Sequence, residues 1–313
     1  MRHHRGALSL SILAFAVSVS LPVGTVRAED ISGTFATTKF IFENSRLVGD
    51  VECVMVDSPC IEFGASNIQL RLNGYTITGT AEPPANCAPN SGPPFVDAIV
   101  SVDKENIRIL GPGMVQKFRR HGIFLLRNDK ITLRHVISHH NCFSGILAAL
   151  LTNSRIEENV STRNGIASAS IPCGGNCLVN SHDNWIRRNE FTGNGSAVTA
   201  NAAGSDFGVG LLFGSSGNVV EENGIGGNVN GILIHLNASG NVIRDNVISG
   251  NPPAQVAATF GAGVGADIHN QAPAGANTFE NNLCMTYIGA GPAPCPNVPK
   301  FAGHRNTKNG GGD

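Results

Sequence analysis

Apolar and polar residues alternate in short segments that recur along the chain. The phrase Asn-x-(Ile/Val)-x-x-Asn-x-(Ile/Val/Phe) begins at Asn184, Asn218 and Asn241, and weaker copies surround these three. The step from Asn223 to Asn246 is 23 residues and the step from His135 to Asn159 is 24 residues. A repeat of this length is typical of solenoids, in which each repeat forms one coil.

A second phrase, glycine followed by apolar residues, precedes the first at Gly122, Gly145, Gly208 and Gly231. Each coil is therefore predicted to contain three strands. For the last of these coils the predicted strands are Ile232–His235, Val242–Arg244 and Val247–Ser249. Because side chains alternate along a strand, Ile232 and Ile234 are predicted to point inward and Leu233 and His235 outward.

The corner between the second and third strands is occupied by asparagine in most repeats. Asparagine tolerates the left-handed backbone conformation, and stacked amides can hydrogen-bond from coil to coil. A structural asparagine ladder is predicted at Asn73, Asn159, Asn189, Asn223, Asn246 and Asn282, with His135 substituting once.

Charges next to these corners alternate in sign from coil to coil. Glu157 and Glu158 are followed in the next repeat by Arg187 and Arg188, and the series continues with Glu221 and Glu222 and then with Arg244 and Asp245. Strands of neighbouring coils lie only about 4.8 Å apart, so this series predicts a row of cross-coil ion pairs.

The N-terminus has the features of an export signal. Arg2 and Arg5 precede an apolar stretch from Ala7 to Leu21, and Val26-Arg27-Ala28 places small residues at the cleavage positions. We predict a signal peptide over residues 1–28, cleaved near Ala28, and a secreted or periplasmic mature chain. The apolar stretch is too short to span a membrane, and no later segment qualifies. The net charge of −1 gives no reason to expect nucleic acid as a partner.

Eight cysteines in an exported chain favour disulfides over a metal site. The local pairs Cys53–Cys60, Cys173–Cys177 and Cys284–Cys295 are the most economical, which leaves Cys87 and Cys142. No second cysteine or histidine pair stands at zinc-finger spacing, so no metal site is predicted.

The phrase Ile68-Gln-Leu-Arg-Leu-Asn-Gly-Tyr-Thr-Ile-Thr-Gly79 and the asparagine repeats resemble the pectate-lyase-like right-handed parallel β-helix repeat proteins of bacteria. The resemblance covers roughly residues 50–285 and implies an all-β, single-domain solenoid of three-strand coils. We divide the mature chain into an N-terminal cap with the first strands (29–60), the β-helix repeats (61–285), and a C-terminal cap with a disordered tail (286–313).

In enzymes of this family the resemblance implies a cleft along the outward face of the first strands. The outward residues predicted there are Glu62, Val100, Phe124, Leu126, Leu147, Ala149, Leu178, Asn180, Gly210, Leu212, Leu233, His235 and His269. This face is mainly apolar. It lacks the acidic cluster that a calcium-dependent lyase or a glycoside hydrolase needs, so no catalytic residue is predicted, and calcium is expected only if the protein is a lyase. Insertions at 80–95, 166–176 and 196–206 precede first strands and are predicted to lie over the face.

Polar residues near this face are the candidates for ligand binding. His235 and His269 lie on it, and Asp206 and Asp267 are near in sequence. Arg120 and His121 belong to a small basic patch. His139 and His140 are weaker metal candidates, because neighbours on a strand face opposite ways.

Two functions remain open for the chain. The first is non-catalytic binding of a carbohydrate or another cell-surface component along one face. The second is a polysaccharide lyase, glycoside hydrolase or epimerase with an unrecognised active site.

Overall fold

The computed structural model describes residues 28–82, 87, 96–165, 174–195, 207–252 and 265–295. Within these ranges the regular structure consists of strands alone. They are β1 Glu29–Phe35, β2 Lys39–Ile41, β3 Ser45–Cys53, β4 Ile61–Phe63, β5 Gln69–Arg71, β6 Thr76–Thr78, β7 Ile99–Val102, β8 Arg108–Gln116, β9 His121–Leu126, β10 Thr132–His139, β11 Ser144–Ala149, β12 Arg155–Glu157, β13 Val160–Thr162, β14 Asn176–Val179, β15 Trp185–Arg187, β16 Glu190–Thr192, β17 Phe207–Leu212, β18 Val219–Glu221, β19 Gly224–Gly226, β20 Asn230–Ile234, β21 Val242–Arg244, β22 Val247–Ser249, β23 Ile268–Asn270, β24 Thr278–Glu280 and β25 Tyr287–Gly289.

The strands form two parallel sheets, as the repeat predicts. The first-strand sheet runs β2-β4-β7-β9-β11-β14-β17-β20-β23-β25, so that one strand of each coil pairs with the equivalent strand of the next. The second and third strands of the coils form the other sheet, in which β12, β15, β18, β21 and β24 are successive second strands. The predicted all-β solenoid is confirmed.

The core lies inside the coils and consists of aligned aliphatic side chains. In one coil Ile232, Ile234, Ile243 and Ile248 are all fully buried. The equivalent positions of neighbouring coils, such as Ile186 and Val220, pair directly in register. Burial of these continuous apolar columns supplies the main favourable free energy of folding.

Asparagines form three buried ladders, one at each corner of the coil. The predicted ladder runs from Asn159 through Asn189, Asn223 and Asn246 to Asn282, with amide-to-amide distances of 2.9–3.1 Å. A second ladder precedes the second strands and a third follows the third strands. Their members are Asn184, Asn218, Asn241 and Asn277 in the second, and Asn141, Asn164, Asn194, Asn228, Asn251 and finally Asp267 in the third.

The prediction that the ladder asparagines themselves adopt the left-handed conformation is wrong for most of them. The residue before each asparagine has the positive φ, as at Glu158 (56°), Arg188 (53°) and Glu222 (55°). That residue turns the chain, and the asparagine that follows points inward. Asn73 and His135 themselves have positive φ and are exposed, so they stand one position too early to join the ladder.

The predicted cross-coil ion pairs are present on the outside of the corner between the second and third strands. Arg134 lies 2.6 Å from Glu158, and Arg188 lies 2.6 Å from Glu222. The neighbouring residues Arg187 with Glu157 and Arg244 with Glu221 repeat the arrangement on the second strands. The two corner pairs, Arg134 with Glu158 and Arg188 with Glu222, are at least partly exposed, and each contributes little to stability. The carboxylates of Glu157 and Glu221 are buried beneath their arginines.

Disulfides close both ends of the described coils. Cys53–Cys60 and Cys284–Cys295 are present, and the two cysteines left over in the sequence pair as Cys87–Cys142. Cys177 is also disulfide-bonded, whereas Cys173 lies outside the described residues. Residues 1–27 of the predicted signal peptide and the tail after residue 295 lie outside them too. In the described ranges no helix could cross a membrane.

Candidate functional site

The outward face of the first-strand sheet has the predicted register except in one strand. Val100, Phe124, Leu147, Gly210, Leu233 and His269 form one aligned row. In β14, however, Cys177 and Val179 occupy the outward positions. Leu178 is aligned with the core residue Leu211, and Asn180 lies beyond the end of β14. The prediction for Leu178 is therefore wrong by one residue.

Part of this face is buried. Cys177, Phe207, Leu212 and Leu233 form a separate apolar cluster, each at most 3% exposed, with Leu147 and Val179 packed against it. Gly210 has no side chain, and the Phe207 ring occupies the space above it. The middle of the face thus packs as a second small core. Most of the insertions predicted to cover it lie outside the described residues.

His235 and His269 are both half-buried on this face. The His235 ring lies 4.8 Å from the Phe213 ring, and its Nδ1 accepts a hydrogen bond from the Asn237 N–H at 3.3 Å. Burial lowers the pKa of His269, and its Nδ1 has no hydrogen-bond partner among the described residues. His235 lies one residue past the end of β20, and His269 lies on the neighbouring strand β23. The two side chains share no contact.

Asp267 does not act as an orienting partner for His269. Its Oδ1 accepts from the Asn251 amide at 3.0 Å, and its Oδ2 accepts the N–H groups of Met285 at 2.8 Å and Thr286 at 3.2 Å. This buried carboxylate ends the third asparagine ladder and is a structural group. Asp206 lies outside the described residues.

Arg120 and His121 belong to a buried polar cluster and not to an exposed basic patch. Asp97 accepts the His121 N–H at 2.9 Å and lies 3.8 Å from the Arg120 guanidinium. His121 Nδ1 lies 2.5 Å from Ser144 Oγ. Burial raises the pKa of Asp97 to about 6, and burial together with Arg120 lowers the pKa of His121 well below its usual value. A ligand in solvent cannot reach these groups in this conformation.

His139 and His140 come together, contrary to the expectation that they face opposite ways. Their Nδ1 atoms are 2.5 Å apart, because His140 has a φ of 53° and leaves the strand. His139 Nε2 contacts Met114 Sδ at 2.9 Å. Within the described ranges, no group of three or more His, Cys, Asp or Glu is placed to hold a metal ion.

The outward side of β5, β8, β10, β12, β15, β18, β21 and β24 is here called the second-strand face. It is solvent-exposed and polar. Trp185 is 40% exposed there, and the guanidinium groups of Arg155 and Arg187 lie 5.3 and 5.8 Å from the centre of its ring. The sequence contains one tryptophan, and a partly exposed indole flanked by arginines is a ready contact for a ring-shaped, polar ligand.

An open groove follows the corner toward the third strands. Its lining includes Glu158, Arg188, Glu190 and Glu222, and Gly224 and Gly226 contribute floor positions without side chains. Arg134 lowers the pKa of Glu158 through a hydrogen bond, and Glu222 pairs with Arg188. Glu190 is exposed and forms no ion pair within the described part of the chain. Sequence reasoning missed this groove because its residues were interpreted as corner residues only.

Residues 106–284 match a family model described as the right handed beta helix region. The chain belongs to this family. No curated protein sequence matches the β-helix chain. The match covers the coils from β8 to β24 and the series of alternating corner charges, and it confirms the family resemblance of the repeats.

Solved structures with similar folds include two epimerases and a tailspike protein. A periplasmic alginate epimerase, AlgG, is 12% identical with a TM-score of 0.56. The alignment covers 82% of this chain and 65% of the AlgG chain. The Azotobacter vinelandii mannuronan C-5 epimerase AlgE4 A-module is 14% identical with a TM-score of 0.51, covering 86% and 90%. The Dettilon tailspike protein is 13% identical with a TM-score of 0.55, covering 82% and 60%. This chain thus spans about two thirds of the length of AlgG, and at these identities the likeness shows the fold alone.

Proposed function

We propose that this protein is exported and binds a polysaccharide or another carbohydrate of a cell surface without cleaving it. The observation that carries the proposal is Trp185, exposed on the second-strand face between two guanidinium groups. Indole rings pack against sugar rings through their apolar faces, and arginine N–H groups donate to sugar oxygens. The stacked strands supply a long, rigid surface for an extended polymer.

Two further observations support export to an oxidising compartment and a carbohydrate partner. Three disulfides lie within the described residues, and disulfides persist mainly outside the cytoplasm. Two of the structurally similar proteins are named as epimerases of alginate or mannuronan. Binding and not cleavage is favoured because Arg120 and His121 are enclosed, Asp267 is a structural group, and the half-buried His235 and His269 share no contact.

The experiment is retention of the purified protein on immobilised polysaccharides, with reducing ends and unsaturated products recorded in the same samples. We expect retention without products, and we expect Trp185→Ala to weaken retention about tenfold or less, the usual range for one aromatic contact. Phe213→Ala, an exposed aromatic residue on the first-strand face, is the matched control and should leave retention unchanged. Equal retention by both variants would contradict the assignment to Trp185.

Cleavage of a polysaccharide is the second candidate, and the groove containing Glu190 favours it. Glycoside hydrolases use two carboxylates that flank the scissile bond, and Glu190 is an exposed carboxylate beside Glu158 and Glu222 in this groove. If products are formed, Glu190→Gln should abolish them while retention persists. Product formation that survives this substitution would exclude the groove as the active site.

A further inference from the structure

The second-strand face carries unpaired positive charge in its N-terminal half. Arg108, Thr132, Arg155 and Trp185 are paired in one row across β8, β10, β12 and β15. Arg71 lies on β5, whose Gln69 pairs with Arg108. The three arginines are exposed, so their guanidinium groups face solvent on the same side of the sheet.

Other arginines of the same sheet have acidic partners. Arg46 lies 2.7 Å from Asp30, Arg134 lies 2.6 Å from Glu158, and Arg244 lies 2.5 Å from Glu221. Within the described part of the chain, Arg71, Arg108 and Arg155 have no carboxylate at ion-pair distance. Three guanidinium groups on one surface therefore have no carboxylate partner, in a protein whose net charge is −1.

We infer that the ligand of this face is an anionic polysaccharide, carrying carboxylate or sulfate groups, that lies across the coils from Arg71 and Arg108 to Trp185. The inference rests on the proposed function and names its substrate class. Four strand steps of about 4.8 Å separate β5 from β15, so the site is roughly 19 Å long. That length suits an extended polymer better than a single sugar. Arginine binds carboxylate and sulfate groups through paired N–H donors, which fixes the direction of the contact.

An acidic polysaccharide fits these observations better than other polyanions. The excess charge is confined to one half of one face, and the C-terminal half of the same face ends in Glu280, which is exposed. A protein that binds any polyanion would be expected to carry a broad basic surface. The exposed indole at the end of the arginine row adds a contact that suits a sugar ring.

The test compares polygalacturonate with its methyl-esterified form, because the two polymers share a backbone and differ in charge. The purified mature chain should bind polygalacturonate at least about tenfold more tightly. Its affinity should fall about tenfold between 50 and 200 mM salt, as expected for roughly two to three released counterions on a linear polyanion. The triple variant Arg71→Gln, Arg108→Gln, Arg155→Gln should lose about tenfold or more of this affinity.

The matched control is Arg46→Gln, Arg127→Gln, Arg244→Gln, which removes the same charge from arginines that have carboxylate partners. It should keep nearly full affinity for polygalacturonate. Equal losses in both triple variants, or equal binding to the esterified polymer, would overturn the anionic specificity while leaving carbohydrate binding intact. Comparable affinity for DNA or for phosphatidylglycerol vesicles would overturn it in favour of general polyanion binding. No retention on either polymer, with retention on a neutral polysaccharide, would overturn the anionic class alone, whereas no retention on any of the immobilised polysaccharides would refute the proposed function itself.

Discussion

The first-strand and second-strand faces follow the same alternation of side chains but offer opposite surfaces. On the first-strand face, Phe207 and Leu233 are buried in a small second core, and His121 is enclosed beside Asp97. On the second-strand face, Arg155 and Trp185 stand in solvent. The strand register decides which side chains point outward. Whether an outward side chain can meet a ligand depends on what packs over it, and alternation carries no information about that.

The electrostatics of the two faces differ for the same reason. Burial raises the pKa of Asp97 and lowers the pKa of His121 on the first-strand face. On the second-strand face, the hydrogen bond to Glu221 raises the pKa of Arg244, so that charge is retained. On the first-strand face, desolvation disfavours the charged forms of the buried groups. On the second-strand face, contact with solvent and pairing with carboxylates favour the charged forms of the arginines.

The largest effect is expected in the small core that covers the first-strand face. Phe207→Ala should lower the free energy of unfolding by about 3–5 kcal/mol, because a fully buried ring is removed from a packed cluster. Phe213→Ala, one residue past the end of β17 and 59% exposed, should cost much less. Denaturant unfolding followed by circular dichroism measures both. Similar costs for the two variants would show that the first-strand face is as open as the second.

Acid titration should separate the buried pair Asp97 and His121. The folded pKa of Asp97 is about 6, above its usual 3.8, so the folded state binds an extra proton and gains stability as the pH falls through 6. The folded pKa of His121 lies well below 6.5, so the unfolded state binds the proton and stability is lost below pH 6.5. In the wild-type protein, these two contributions to the change of unfolding free energy with pH have opposite signs.

Substituting one residue at a time should reveal the pH dependence of the unfolding free energy that the other residue causes. Relative to wild type, His121→Gln should gain up to about 1.4 kcal/mol of unfolding free energy per pH unit between pH 6 and 5. Asp97→Asn should lose stability over the same interval. Asp103, Asp129 and Glu158 have lowered pKa values and titrate below this window. Urea unfolding at half-unit pH steps is the measurement, and parallel curves for all three proteins would refute the assignment.

The repeat length, the three-strand coil and most inward residues could be predicted from the sequence. The alternation of apolar and polar residues and the constant spacing of the corners are both visible within a single repeat. Two of the three ladders were missed, although asparagine recurs at intervals of five residues, as in Asn218, Asn223 and Asn228. That spacing places one asparagine at each corner. The left-handed conformation was predicted for the asparagine but belongs to the residue before it. Asparagine is needed at the corner for its buried side-chain amide, which hydrogen-bonds to the next coil, and not for the tight turn.

The site was less predictable because burial arises from contacts between distant segments. Arg120 and His121 look like a basic surface patch in sequence, yet Asp97 and Ser144 from neighbouring coils enclose them. The register error at Leu178 has a local cause. Asn176, a polar residue, occupies an inward position aligned with Ile146 and Val209, which reverses the apparent alternation of β14.

Asn176 also gives a prediction of intermediate size within the first-strand sheet. Its side chain is fully buried, and neither amide atom has a hydrogen-bond partner among the described residues. Asn176→Val should therefore raise the free energy of unfolding by about 1–3 kcal/mol, because an unsatisfied polar group is replaced by an apolar one. Asn184→Val is the control. The side-chain amide of Asn184 donates hydrogen bonds to Leu151 O and Asn218 Oδ1. Removing this amide should therefore lower the free energy of unfolding. Destabilisation by both would mean that Asn176 has a partner.

The smallest effect is expected at the exposed corner beside the second-strand face. Glu222→Gln removes the carboxylate that pairs with Arg188, but Arg188 Nη1 also lies 4.0 Å from Glu158 and keeps a partner. Solvent screens this pair, so the melting temperature should change by no more than about 1 °C and the change should vanish at high salt. A double-mutant cycle with Arg188→Gln measures the coupling directly. A large coupling that persists in salt would show that this corner is covered in solution, and the two faces would then differ less than their exposure indicates.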